Sequence, residues 1–288
     1  MALRQILRPT NRRVRYLVGL LLIGLFCIQC IPTNDVGKGQ TLIAKAVPED
    51  PAAKVRKVVK LAQTDQTALL DYCQENYARN YRDYTCTLLK QERINGELGP
   101  EQEVQVKFLG SPFSVAMNWI TNSPIGDRIL YVEGKHDNNM IVRPKAKLLQ
   151  MITGGAVLRK PDGAEAMKNT LRPVNLFGFQ RGMNELIKVY RQAKEAGDLK
   201  ETFGQFADVA GRRTLVLERY LPPKNDYPAA KTLVYIDMEY LVPVCIEGYD
   251  WENRLSSRYL FKDIRFNVGL TADDFLPEAN GITLPPRK

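Results

Sequence analysis

Glu103-Val-Gln-Val-Lys-Phe108 and, after Leu-Gly-Ser-Pro, Phe113-Ser-Val-Ala-Met-Asn-Trp119 decide the fold. In both stretches apolar and polar residues alternate, and successive side chains of a strand point to opposite faces. Phe113, Val115, Met117 and Trp119 therefore share one face, and Gly110-Ser-Pro112 supplies the turn between the two strands. Arg128-Ile-Leu-Tyr-Val-Glu133 and Asn139-Met-Ile-Val-Arg143 continue the pattern beyond turns at Asn122-Ser-Pro124 and Asp137-Asn-Asn139. Short strands at this spacing, with another turn at Asn95-Gly96, predict an antiparallel sheet built from hairpins.

On either side of this block the period changes to that of a helix. Val55, Val58, Val59, Leu61 and Ala62 begin one helix, and Leu69, Leu70, Cys73 and Tyr77 carry its apolar stripe to about Asn80. A second helix shows Phe179, Met183, Leu186, Ile187 and Tyr190 on one face. Strands resume at Thr214–Glu218, Lys231–Asp237, Val242–Glu247 and Ser257–Ile264. The order helix, strands, helix, strands is α+β, with one meandering sheet and helices on one of its faces.

The chain of 288 residues carries a net charge of +9, but six of those charges fall in the first 46 residues. The body has scattered basic and acidic residues and no basic stripe, which argues against nucleic acid as a partner. Five arginines precede Tyr16–Ile31, a run of sixteen mostly apolar residues. A positive segment before an apolar core is an export signal, and positive charge stays on the cytoplasmic side. At 1.5 Å per residue the run spans about 24 Å, suited to a cleaved signal or a thin membrane anchor. Residues 1–31 thus read as signal peptide or anchor, 32–52 as a flexible tether, and 53–284 as the exported domain, delivered to the periplasm or cell envelope.

Near the end, Phe266-Asn-Val-Gly-Leu-Thr-Ala-Asp-Asp-Phe275 has a turn at Asn267 and Gly269. Thr271 and Asp274 then form a capping box with Asp replacing Glu, which turns Phe275 back onto the sheet. This ending resembles the closing segment of the LolA/LolB-like superfamily of periplasmic lipoprotein carriers. Asp83-Tyr-Thr-Cys86, Lys90-Gln-Glu-Arg93, Pro112-Phe-Ser-Val115, Tyr131-Val-Glu-Gly134 and Tyr249-Asp-Trp251 resemble, in order and spacing, domain of unknown function 1571. The similarity runs from roughly Leu69 to Asn280. It implies a curved antiparallel half-barrel with helices covering its concave side, and a hollow that takes up or senses acyl chains. It transfers no catalytic residue.

The chemistry-bearing residues offer little else. His136, the single histidine, sits in a polar turn beside Asp137 and reads as a solvated loop residue, since a general base needs reach and an orienting partner. No serine lies in a nucleophile elbow, and Thr153-Gly154-Gly155-Ala156 lacks the lysine of a phosphate loop. Cys73 and Cys86 could bridge the first helix to the first strand in an oxidising compartment, or remain buried thiols that pack as small hydrophobes. Glu247, Asp250 and Glu252 around Trp251 suit a sugar site or an exposed hairpin, and the second reading is the simpler. No metal or cofactor is expected. The stripe Phe113, Val115, Met117 and Trp119 is the candidate ligand surface, because Met and Trp make an adaptable apolar lining; the same stripe also fits ordinary core. Three functions follow in order: non-catalytic binding of a lipid, lipidated protein or other hydrophobic ligand; an envelope scaffold or sensor with a filled interior; and a hydrolase.

Overall fold

Two helices, rather than one, precede the sheet in the computed structural model, which describes residues 51–285 apart from 125 and 225. α1 (Pro51–Thr64) and α2 (Gln66–Asn80) part at Asp65, whose backbone is extended (φ −160°) and whose carboxylate accepts the Ala68 N–H at 2.9 Å. An Asp with its side chain on a first-turn amide starts a helix, so the unbroken apolar stripe conceals a break. α1 takes in the last two residues read as tether. The expected leader and the rest of the tether lie outside the described residues.

The sheet follows as two antiparallel meanders. The first contains β1 (Asp83–Ile94), β2 (Glu97–Leu98), β3 (Gln102–Leu109), β4 (Ser114–Thr121), β5 (Gly126–Val132), β6 (Met140–Pro144) and β7 (Val157–Arg159). The second contains β8 (Lys200–Val209), β9 (Arg212–Tyr220), β10 (Lys231–Asp237), β11 (Pro243–Tyr249) and β12 (Leu255–Phe266). They join where β1 pairs β12, giving the order β7-β6-β5-β4-β3-β1-β12-β11-β10-β9-β8, with β2 on β1. The sheet is open: β7 and β8 are its edges. Bulges bend it. One lies between β1 and β12 where Asp263 takes φ +54°, another between β8 and β9 at Gln205. An extra residue on one strand increases local twist and curls the sheet.

The inner face carries the helices. Tyr84, Cys86 and Leu88 of β1 and Val104, Val106 and Phe108 of β3 are buried there under α2 and α5 (Phe179–Glu195). α5 buries Phe179, Met183, Leu186, Ile187 and Tyr190, the face its periodicity predicts. An aromatic cluster fills this half: Tyr84 stacks on Phe108 at 4.8 Å, Phe179 lies 5.0 Å from Tyr84, and Tyr81 stacks on Phe266 at 4.0 Å. Gly178 caps α5 with φ +96°, and a Cβ there would strike the Phe108 ring, so only glycine fits. The outer face has its own core. Leu109, Ala116, Leu130 and Ile141 alternate outward and are covered by Phe275 and Ile282 of the C-terminal segment. The capping box of Thr271 and Asp274 forms, and it delivers Phe275 to the face opposite the helices.

Candidate ligand-binding hollow

Beyond the aromatic cluster the inner side is not filled. A cavity of about 630 Å³ opens between the sheet, α5 and the long segment that joins β6 to α5. Leu88, Val104, Met117, Ile129 and Val142, one from each of β1, β3, β4, β5 and β6, form the floor. Gly182 and Leu186 of α5 form one wall. The roof is the joining segment 145–178, containing α3 (Lys147–Thr153), β7 and α4 (Ala164–Met167), through Leu149, Val157, Ala166 and Phe177. Gly182 opens the wall: a Cβ built on it meets nothing within 4 Å. The volume lies within the range of about 300–1,000 Å³ typical of small-molecule sites, and an apolar lining with few polar groups is their usual character.

One group of polar side chains in the lining is deeply buried. Glu92 on β1 is only 3% exposed and sits among the lining residues. Its carboxylate pairs with Lys90 at 2.9 Å and accepts the Tyr259 hydroxyl at 2.5 Å, the Leu171 N–H at 3.2 Å and the Thr170 hydroxyl at 3.3 Å. Lys90 also donates to Thr170 at 3.0 Å. Thr170 and Leu171 belong to the roof, so this cluster fastens the roof to the sheet. Burial holds the Tyr259 hydroxyl well above its ordinary pKa, and the Glu92 charge adds to the effect. Arg172 lies over the Tyr259 ring at 5.6 Å and, with Arg159 and Lys168, adds cations to the lining.

The four residues of the predicted stripe are divided. Met117 and Trp119 line the cavity, and the Trp119 indole donates to Gln102 at 2.8 Å. Phe113 and Val115 are buried in the packed core instead: Phe113 lies edge-on to Phe108 and beneath the Arg181 guanidinium at 3.7 Å. α5 begins over this end of the strand, so two steps along β4 move a side chain from core to hollow. Gly182, the floor residues of β1, β3, β5 and β6, and the whole roof escape the sequence reading. A glycine inside a helical pattern was the available signal, because it costs about 1 kcal/mol there and usually has a packing reason.

Of the two alternatives for Cys73 and Cys86, bridge or buried thiols, the second is found: Cys73, Cys86 and Cys245 are free, buried thiols. Cys73 faces the core from α2 and Cys86 from β1; burial pushes the Cys73 thiol up to about 12 and raises that of Cys86 as well. Neither supplies the thiolate that disulfide exchange requires. His136 occupies a tight turn with φ +52°, and among the described residues its imidazole makes no hydrogen bond. Glu247 accepts the Tyr249 hydroxyl at 3.0 Å, while Asp250 and Glu252 both pair with Arg254 at 2.8 Å, so this acidic group serves its hairpin. Among the described residues no group of three or more His, Cys, Asp or Glu could hold a metal ion, and no helix is long and apolar enough to cross a membrane.

The fold is thus an open antiparallel half-barrel with helices on its concave side and a hollow beneath them, the architecture that the resemblance to LolA-like proteins implies. The profile of the family described as "Protein of unknown function (DUF1571)" matches residues 81–281, and the chain belongs to that family. Some of the residues that carry the resemblance brace the scaffold. The Asn267 side chain accepts the Arg82 N–H at 2.9 Å and donates to the Asn80 carbonyl at 2.8 Å, and Glu133 pairs with Arg181 at 2.9 Å. Lys90 and Glu92 are the motif residues that face the hollow. Among solved structures, the chain is similar to the MucA/MucB complex of Pseudomonas aeruginosa, at 13% identity and TM-score 0.44, covering 77% of this chain and 63% of that one. It is also similar to a LolA superfamily protein of Nitrosomonas europaea, at 10% identity and TM-score 0.31, covering 73% and 98%. The lipoprotein LppX of Mycobacterium tuberculosis matches at 12% identity and TM-score 0.41, covering 72% and 99%. The chain spans under two thirds of the MucB chain. No curated protein sequence matches it.

Proposed function

We propose that the protein is an exported, non-catalytic binding protein of the cell envelope that shelters an acyl chain or similar hydrophobic ligand in the hollow. The observation that carries this reading is the 630 Å³ cavity, floored by apolar side chains from five neighbouring strands of the sheet and left open by Gly182. Protein interiors pack nearly as densely as organic crystals and rarely leave a void larger than a water molecule. A scaffold with a filled interior has no need of this space. Met117 and Trp119 supply the adaptable lining, and the Lys90–Glu92 cluster marks the polar end. A lipid or the lipid anchor of a protein would enter between the roof and β4–β6. The arginine-rich leader and apolar run 16–31 support delivery across the inner membrane. A series of saturated fatty acids of increasing length tests the reading by titration. Each added methylene that enters the hollow should tighten binding about fourfold, until the space is full. Absence of binding at every length, or affinity indifferent to length, would reject it.

A further inference from the structure

The roof carries a second feature that ligand binding alone does not explain. α3 reads Lys-Leu-Leu-Gln-Met-Ile-Thr, and none of its residues is buried. Leu148, Leu149, Met151 and Ile152 are between 50% and 80% exposed, the densest group of exposed large hydrophobic side chains in the described residues. Leu148, Met151 and Ile152 stand three and four residues apart and so share one side of the helix. Polar contacts hold the helix and leave this side bare: Gln150 at its middle donates to the Pro144 carbonyl at 2.6 Å, and Gly154 ends the helix in the left-handed region.

The stretch of chain that carries the helix has charge of one sign. Residues 138–161 contain Arg143, Lys145, Lys147, Arg159 and Lys160 and no Asp or Glu. Arg143 pairs with Asp127, whereas Lys145, Lys147, Arg159 and Lys160 are exposed and form no ion pair among the described residues. An aliphatic face flanked by unpaired cations is complementary to one surface above others, a bilayer with anionic headgroups over an apolar interior. Burying aliphatic side chains in that interface is favourable, and basic residues at its edge are attracted to anionic lipid. We propose that α3 and its basic flanks dock the domain on a membrane containing anionic phospholipid, with Leu148, Met151 and Ile152 inserted at the headgroup level. Leu149 and Thr153 of the same helix line the hollow, so docking sets the cavity mouth against the lipid. The docking stands on the exposed face and its charges, and holds whether or not the hollow takes a ligand.

A tryptophan reporter in the full-length chain tests this. Leu148→Trp, in a Trp119→Phe/Trp251→Phe background, is added to vesicles of mixed phosphatidylglycerol and brominated phosphatidylcholine. Glu252→Trp in the same background reports the distant β11–β12 turn. Attachment through residues 1–31 would bring both reporters near the vesicle but insert neither. The expected result is quenching several-fold greater at position 148 than at 252. That excess should disappear on vesicles of brominated phosphatidylcholine alone and in the Lys145→Glu/Lys147→Glu variant. Equal quenching at the two positions, or an excess indifferent to the charge reversal, overturns the proposal. So does a blue shift at position 148 that grows with protein concentration without vesicles, which would place a second copy of the chain on α3.

Discussion

Replacing Gly182 with leucine should separate stability from binding. The residue sits inside α5, lines the hollow, and has no atom beyond its own stretch of helix within 4 Å of where its Cβ would stand. Glycine in a helix interior is less favourable than alanine by about 1 kcal/mol, and leucine is nearly as good as alanine, so Gly182→Leu should stabilise the fold by about 0.5–1 kcal/mol. The added side chain has four carbons, and they take space that a bound chain would use. Excluding about four methylenes, at about 0.8 kcal/mol each, removes about 3 kcal/mol, or roughly 200-fold in affinity. Urea unfolding measures the first quantity, and titration with the fluorescent fatty acid cis-parinaric acid measures the second. A variant more stable than wild type yet equal in affinity would refute the assignment of this space to the ligand. Loss of stability would show that the wall beside Gly182 is already filled.

Three further outcomes follow from the same geometry. Glu92→Gln keeps an oxygen for Tyr259 and Leu171 but strands the nearly buried Lys90 ammonium, and should cost about 3 kcal/mol in urea unfolding; adding Lys90→Met should restore much of it, and equal losses in both variants would contradict the pairing. Asp65→Ala removes the cap of α2 and should cost about 1 kcal/mol at neutral pH. The Ala68 N–H holds the Asp65 carboxyl below its ordinary pKa despite some burial, so the stabilisation is complete above that ordinary value and fades as pH falls through the lowered one. The melting temperatures of wild type and Asp65→Ala should accordingly converge in acid, and a constant gap would rule out the charged cap. Cys73, Cys86 and Cys245 should react with maleimide only as fast as the domain unfolds, and rapid labelling of the native protein would show that one of them is accessible.

The legible parts of the fold are those where local pattern and tertiary packing agree. β10 begins and ends at the predicted residues, Lys231 and Asp237, because both of its neighbours pair along its length. α5 shows the periodicity of a helix lying on a sheet, and it buries the predicted side. β8 escaped notice because the bulge between Phe203 and Gln205 breaks the alternation that marks a strand. The roof escaped for another reason: α3, α4 and β7 have seven, four and three residues, too few to establish a period. The site was half legible. The stripe from Phe113 to Trp119 identifies an inner face, but where packed core gives way to hollow depends on where α5 crosses β4. No pattern within β4 encodes that crossing. Lys90 and Glu92 were visible as motif residues, but their burial together depends on the roof folding back across β1.

Mass spectrometry of the organic extract from purified full-length protein tests the central claim most directly. Wild type should release a long-chain amphiphile in near-stoichiometric amount, and Gly182→Leu, purified in parallel, should release far less. An empty wild-type protein, or equal recovery from the two, would contradict the account of the hollow as a ligand site.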